Sequence, residues 1–498
     1  MSFKDNTIYI GNISDMGNAD VDVSDITKEI KSKWDEDIDL QFNEKMSDEL
    51  ENVFGLGEVP NYHFDVNFAD GSKVCYLFFD HSKTTAFEQQ ELIRTNFEDV
   101  ISKSDNIKVF LNSLHIKQQE TMIKYISSCA ILFKWNSVEY SNKESEKLSP
   151  LKYSFICKVG KSIQDSLIEE GEAIAVGTNI VRTLAVTPSN KLNPKKFRKY
   201  AMEAFDDSIG FSFVDKSSLK NMNAGAFLSV IRGTKNSHGG IAKLSYTTNI
   251  PNAPKLAVIG KGITFDTGGY NIKTDGYMAD MHRDMTGAAA ALGVLSATKT
   301  LKLPINLDVY LAIGENLVSE KASRPNDVIS AMDGTTIEIV DTDAEGRLVL
   351  ADTILYSKQQ DSYDNIITMA TLTGAAPGAI GTKYSCVFSN SKTMSRLSND
   401  SSRISGERCW GFPLTNDFTK EIQSEVADIT QCSSSSNADH IFAASFLKFF
   451  VDSTEWLHID LSSEHCSDGL GLVNTDVTGF GVRWGVEMIK QLIKERKK

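Results

Sequence analysis

Three segments of this 498-residue chain set ionisable side chains where hydrophobic runs end. The first, IGKGITFDTGGYNIKT at residues 259–274, places Lys261, Asp266 and Lys273 around a glycine-rich turn. Its glycines, at 260, 262, 268 and 269, match neither GxGxxG nor the phosphate-loop pattern, so a nucleotide loop is disfavoured and a plain surface loop is the competing reading. The second, MHRDMTGAAAALGVL, puts Asp284 at the start of a helix whose small residues at 287–291 permit close packing on a sheet. Capping that helix is the commoner role for an aspartate there. In the third, VDTDAEGRLVLADTILY, the acids Asp341, Asp343 and Glu345 alternate after a mostly apolar run at 337–340. If that stretch is extended, all three carboxylates face one side, where they repel each other unless a cation turns the repulsion into binding energy. Arg347 then opens a helix built on Leu348, Leu350, Ala351 and Leu355, and an arginine beside a helix N-terminus is a natural anion seat.

Asp266, Asp284, Asp343 and Glu345 together offer enough oxygen ligands for two divalent ions at the roughly 3.5–4 Å spacing of two-metal hydrolysis. The eight histidines are dispersed and none forms HExxH, which disfavours a histidine-zinc protease. His282, two residues from Asp284, reads as an ordinary neighbour rather than a ligand.

The elements that must gather these residues are strands and helices in alternation. Strand-like runs at 255–259, 305–312, 336–340, 365–369 and 456–461 alternate with helical patterns after a stop at Pro188. This order predicts a mainly parallel or mixed sheet covered by helices on both faces, with its active site at the strand carboxyl ends. Residues 1–165, with short apolar runs at 74–79 and 107–111, read as a smaller N-terminal α/β domain. A long helix over 161–183 joins it to a larger C-terminal domain, 166–498. The fold class is therefore α/β in two domains, the larger one a mixed β-sheet sandwiched by helices. The serine patch at 433–436 reads as a flexible loop.

Sixty-six acids against 52 bases give a net charge of -14, so neither nucleic acid nor an anionic membrane is an expected partner. Seven scattered cysteines without a CxxC argue against a disulfide framework and against a thiolate zinc site. The first residues lack the basic and apolar regions of a signal peptide, and no apolar run approaches membrane-spanning length, so a cytoplasmic location is expected.

These segments resemble the leucyl aminopeptidases, also called cytosol aminopeptidases. The family signature NTDAEGRL stands here at residues 341–348, with Asp341 in place of its first asparagine. Further matches run in order through Gly260, Lys261 and Gly262, Glu315 and Asn316, Arg324 and Pro325, and residues 370–375, 424–428 and 478–483. The resemblance implies a metal-dependent aminopeptidase that hydrolyses the N-terminal peptide bond of peptides or dipeptides, with leucine or another neutral residue first. It implies two divalent ions per subunit, zinc or manganese, with magnesium or cobalt as further possibilities. Asp266 and Glu345 would bridge both ions, Lys261 and Asp284 would complete the tighter site, and Asp343 the more exchangeable one. A metal-binding Lys261 would be neutral, with a strongly lowered pKa. Lys273 would stay cationic and stabilise the gem-diolate oxyanion, while Arg347 would hold a bicarbonate as general base. Thr371, Leu372, Gly374, Ser462 and His465 would line the substrate cleft. A homohexamer of two stacked trimers is implied as well.

The chain departs from the family pattern at three places. Asp341 adds an acid beside a crowded site, Thr286 replaces a glycine, and Ser462, Ser463, Glu464 and His465 make the expected first-residue pocket polar. Two other functions use the same residues. A binding or structural scaffold is opposed by the net acidity and the full set of ligands, and a metal-dependent phosphoesterase rests on the carboxylates alone.

Overall fold

Buried β-branched and aromatic runs become strands in both halves of the chain, as seen in a computed structural model that describes residues 6–12, 61–67, 73–137, 140, 149–235, 237–433 and 438–497. Most of the serine patch, residues 434–436, lies outside them. The backbone contacts divide the chain into two units, Met1–Lys134 with Leu148–Ile168, and Trp135–Lys147 with Glu169–Lys498. The helix Lys161–Val186 runs from the first into the second.

The first unit holds β1 (Asn6–Asn12), β2 (Asn61–Asn67), β3 (Lys73–Phe79), β4 (Asn106–Phe110) and β5 (Lys152–Ile156) in the order β2-β3-β1-β4-β5. β1 lies parallel to β3 and β4, β4 parallel to β5, and β2 antiparallel to β3. The helix Ala86–Lys103 starts at a capping box, in which Thr85 and Glu88 satisfy each other's backbone N–H.

The second unit holds β6 (Gly210–Asp215), β7 (Gly240–Tyr246), β8 (Lys255–Asp266), β9 (Asn306–Asn316), β10 (Val328–Ser330), β11 (Thr336–Glu338), β12 (Asn365–Ala370), β13 (Ser385–Ser389), β14 (Cys409–Gly411), β15 (Ile429–Thr430) and β16 (Glu455–Asp460). Eight of them form a mixed sheet in the order β14-β13-β16-β12-β8-β9-β7-β6. Its centre, β16-β12-β8-β9, is parallel, which aligns four carboxyl ends. The run expected as a strand at 336–340 stops at Glu338, and as β11 it pairs with β10 and β15 in a separate small sheet.

Both faces of β8 are covered, so almost every residue of KLAVIGKGITFD is buried. Ala257, Ile259 and Ile263 enter one core with the helices Gly225–Ile231, Gly346–Gln360 and Asp439–Val451. The alternate position, Gly260, meets the helix Thr286–Thr300 on the opposite face, where a Cβ would lie 2.4 Å from Ala288 Cα. The small residues thus let this helix sit directly on the strand, and residues 286–295 of it are all buried. No described helix is long and apolar enough to cross a membrane.

Candidate active site

Four carboxylates and two lysines meet at the carboxyl ends of the parallel strands. Lys261 Nζ lies 2.8 Å from Asp284 Oδ1 and 2.8 Å from Glu345 Oε1, and it donates to the Thr371 carbonyl at 3.1 Å. Lys273 Nζ lies 2.9 Å from Asp266 Oδ2 and 2.5 Å from Asp343 Oδ1. One oxygen from each of Asp266, Asp343 and Glu345 lies within 4.8 Å of the others. Lys261, Asp266, Asp284 and Glu345 are all buried.

Local backbone features aim these groups. Alternation along a strand would put Lys261 and Asp266, five residues apart, on opposite faces. The register between β8 and β9 slips between Ile263 and Asp266: Ile263 pairs with Gly314 and Asp266 with Asn316, three steps against two. This bulge restores Asp266 to the Lys261 side. Asn316 Nδ2 then donates to Asp266 Oδ1 at 2.9 Å and to the Thr342 carbonyl at 3.0 Å, tying β8 to the signature loop. Gly346 is required by close approach, since a Cβ there would fall 2.5 Å from Lys261 Cε.

The structure decides the open readings of these segments. Lys261 belongs to a buried strand, not to a surface loop. Asp284 does not cap the helix that follows; Met285 occupies that position without a side-chain bond, and Asp284 Oδ1 accepts from Thr371 Oγ1 at 2.7 Å. The signature acids are not on an extended strand, because the chain turns at residues 342–343 and Glu345, the N-cap of the helix Gly346–Gln360, already has helical backbone angles. Asp341 consequently turns back on the loop, its Oδ1 accepting the Asp343 N–H at 2.8 Å. Only Asp343 and Glu345 reach the lysines. His282 is not among the ion-pair or hydrogen-bond partners of the cluster's described residues.

Arg347 is almost fully buried, with Nη2 2.8 Å from both Asp439 oxygens and Nη1 donating to the Gln431 carbonyl at 3.2 Å. The seat expected to hold bicarbonate is therefore filled by a side chain of the protein. Among the expected cleft residues, Thr371 touches both Lys261 and Asp284, and the Leu372 N–H donates to Asp460 Oδ1 at 2.9 Å. Thr373 Oγ1 donates to Asp460 Oδ2 at 2.8 Å, so Asp460 pins the loop from both sides. Gly374 is exposed, Ser462 is buried with its hydroxyl near Cys386, and His465 faces Asp476. None of these last three makes a hydrogen bond or ion pair to Asp266, Asp284, Asp343 or Glu345. Glu464 turns inward toward Arg283, at 3.5 Å, and burial pushes its carboxyl up to about 7. Sequence reasoning gave no role to Asn316, Asp439 or Asp460. Asn316 carried a signal as part of a matched pair, whereas Asp439 and Asp460 are single acids far along the chain.

The charges at this end do not balance, with four acids facing two lysines. Burial raises the Asp343 carboxyl to about 7, helped by Asp266 and Glu345 and opposed by Lys273. Asp284 and Glu345 are raised in the same way, burial first and neighbouring carboxylates second. Burial disfavours the Lys261 ammonium, but Asp284, Glu345 and Asp266 outweigh it and hold its pKa above the ordinary lysine value. This reverses the lowered value expected for a ligand amine; a divalent cation among the same oxygens would restore it by replacing the ammonium as the positive partner. The donor set fits such ions: hard carboxylate oxygens, one amine, and an Asp284 Oδ2 that is buried without a hydrogen-bond partner.

Comparison with known proteins agrees with the geometry. The family model described as "Cytosol aminopeptidase family, catalytic domain" matches residues 179–486. A "Probable cytosol aminopeptidase" of Phytoplasma australiense is 30% identical over 434 residues, 86% of this chain and 87% of that protein. Another, of Afipia carboxidovorans, is 33% identical over 367 residues, 73% of this chain and 72% of the other. A solved structure described as "Bottromycin maturation enzyme BotP in complex with Mn" shares the fold with a TM-score of 0.79 at 24% identity, covering 99% of this chain and 100% of its own.

Proposed function

The chain belongs to the cytosol aminopeptidase family and is a metal-dependent aminopeptidase of the leucyl aminopeptidase type, and from that premise we propose that Asp266, Asp284, Asp343, Glu345 and Lys261 hold two divalent ions. Zinc or manganese suits this donor set best. Bound there, the ions supply Lewis acidity to the scissile carbonyl and lower the pKa of water. Asp266, Glu345, Lys261 and Asp284 would hold one ion, and Asp266, Glu345 and Asp343 the other. Lys273, pulled toward the charged form by Asp266, Glu345 and Asp343 against its burial, donates to the oxygen that gains charge as the carbonyl is attacked. The loop at 371–374, pinned by Asp460, lines the cleft together with Ser462 and His465.

Ions held by these residues would also offer a seat for the free amine of a substrate, which would leave only the first peptide bond in position for attack. The substrates are peptides or dipeptides with an unblocked amino terminus. Residues 166–498 carry the whole catalytic apparatus. The enzyme works in the cytoplasm as a homohexamer, without nucleic acid or membrane partners.

The observation that carries this reading is the cluster of four carboxylates sharing two lysines around the orphaned Asp284 Oδ2. A panel of dipeptides and Leu-p-nitroanilide, assayed with manganese or zinc, should be cleaved, and N-acetylated substrates should not. Elemental analysis should return two ions per subunit. Light scattering on the eluted protein tests the hexamer. Hydrolysis of no free-amino peptide at any metal composition would refute the proposal.

A further inference from the structure

Arg347 opens the helix Gly346–Gln360 two residues after Glu345, and its side chain is only 1% exposed. A guanidinium buried to that extent needs a counter-charge, because the cost of desolvation far exceeds that of an exposed ion. The counter-charge is Asp439, the first residue of the helix Asp439–Val451, where a negative side chain also complements the helix dipole. Both carboxylate oxygens lie 2.8 Å from Nη2, and the remaining terminal nitrogen, Nη1, is engaged by the Gln431 carbonyl. A free oxyanion entering this seat must displace a tethered group of the same charge and the same donor preference. The tethered group has the advantage of effective concentration. Two anions side by side in one buried fork would repel each other.

We propose that Asp439 is a resident anion in the Arg347 seat, so that this enzyme binds no bicarbonate there and turns over without it. The proposal rests on the two-metal aminopeptidase reading of the adjacent cluster, and it departs from the bicarbonate that the family resemblance implies. Asp439 is a positioning residue in this account: it holds Arg347 charged and oriented beside Glu345, whose negative charge also acts on the guanidinium.

The test uses the metal-loaded enzyme in carbon-dioxide-free buffer at fixed pH and ionic strength, with and without added bicarbonate. The parent enzyme should show the same kcat in both, and carbon-13 bicarbonate should show no line broadening in its presence. Asp439→Ala should lose about 10-fold or more in kcat, recovered by bicarbonate or formate, and should broaden the bicarbonate line. Asp439→Asn, which keeps the shape and removes the charge, should behave likewise and controls for misfolding. Stimulation of the parent by bicarbonate, or binding of bicarbonate with Asp439 intact, overturns the proposal. So does an Asp439→Ala enzyme of unchanged kcat that binds none. Failure of the underlying reading looks different, since the parent would then hydrolyse nothing under any condition while the bicarbonate spectra still report on the seat.

Discussion

The two ends of the central parallel strands use the same residue types to opposite effect. At the amino ends, Lys255 pairs with Asp361 at 2.8 Å, Lys243 with Asp308 at 2.9 Å, and Arg496 with Asp364 at 2.7 Å. Three acids meet three bases, and the charge is settled within the protein. The Tyr363 hydroxyl adds a 2.5 Å bond to Asp308. At the carboxyl ends, Asp266, Asp284, Asp343 and Glu345 share only Lys261 and Lys273. The acids outnumber the lysines by two in a buried place, and the raised carboxyls of Asp284, Asp343 and Glu345 relieve the excess by holding protons, an arrangement that costs stability unless a cation arrives. The difference separates a structural polar network from a site that retains its binding energy for something else.

The largest effects should separate the two ends cleanly. Glu345→Gln should reduce kcat/KM by at least about a thousandfold, equivalent to about 4 kcal/mol of barrier. The same change should raise the melting temperature of the chelated protein, since it removes one of the acids in excess over the lysines and leaves Lys261 paired with Asp284. At the amino end, Asp308→Asn should leave kcat unchanged and lower stability by about 1–3 kcal/mol, because Lys243 and Tyr363 lose a charged acceptor. Paired melting and kinetic measurements on both variants check this. A destabilised, chelated Glu345→Gln protein would break the comparison.

Lys273 tests whether the carboxyl end is arranged for a transition state as well as for ions. Lys273→Met should retain metal and lose about 10²–10³-fold in kcat, the range for removal of one donor to a developing oxyanion. Elemental analysis of the purified variant alongside steady-state kinetics would show it. A larger fall in bound metal than in kcat would instead make Lys273 a counter-ion of the cluster.

How much of this site the sequence made legible depends on range. The strands at 255–259, 365–369 and 456–461 could be read because buried parallel strands are continuous apolar runs, the four acids proposed as metal ligands stood out where such runs end, and Lys261 joined them through a resemblance spread over ordered motifs. The bulge in β8 could not be read, because it is a mismatch between two strands, and the one residue beside it that could mark it, Gly314 on β9, is not on the strand that bulges. The alternation of Asp341, Asp343 and Glu345 suggested a strand where the chain turns, since the short β11 gives way to the Asp341–Asp343 bond before the helix begins. The Arg347–Asp439 pair joins residues 92 positions apart, and Asp439 alone looks like any acid at a helix start. Glu464 turns inward toward Arg283, a partner 181 positions earlier that no local pattern predicts.

A smaller effect is expected one layer behind the ligands. Asn316 holds Asp266 Oδ1 and the Thr342 carbonyl together, so Asn316→Ala should weaken metal affinity by about 10–100-fold, the usual cost of losing a partner that orients a ligand. Titration of the metal-free protein followed by calorimetry would measure it. At saturating metal kcat should recover, which distinguishes loss of orientation from loss of a ligand.

The subtlest difference between the two ends lies in the pH dependence of stability without metal. Asp343 is held at about 7 in the folded, metal-free protein, against an unfolded value of about 3.9. Between those values the folded state binds the proton and the unfolded state has released it, so stability falls as pH rises from about 4 to about 7 and is flat above. Asp361 at the amino end is shifted the other way by its bond to Lys255, and stability from it is gained as pH rises through the acid range. Being well exposed, it contributes little. Thermal melts of the chelated protein against Asp343→Asn should therefore show the variant's advantage growing from pH 5 to pH 7, and manganese should erase the dependence, because a bound cation favours the carboxylate at every pH in the window. A difference that stays constant across that range would mean that the carboxyl end is as well neutralised as the amino end, and the contrast between them would fail.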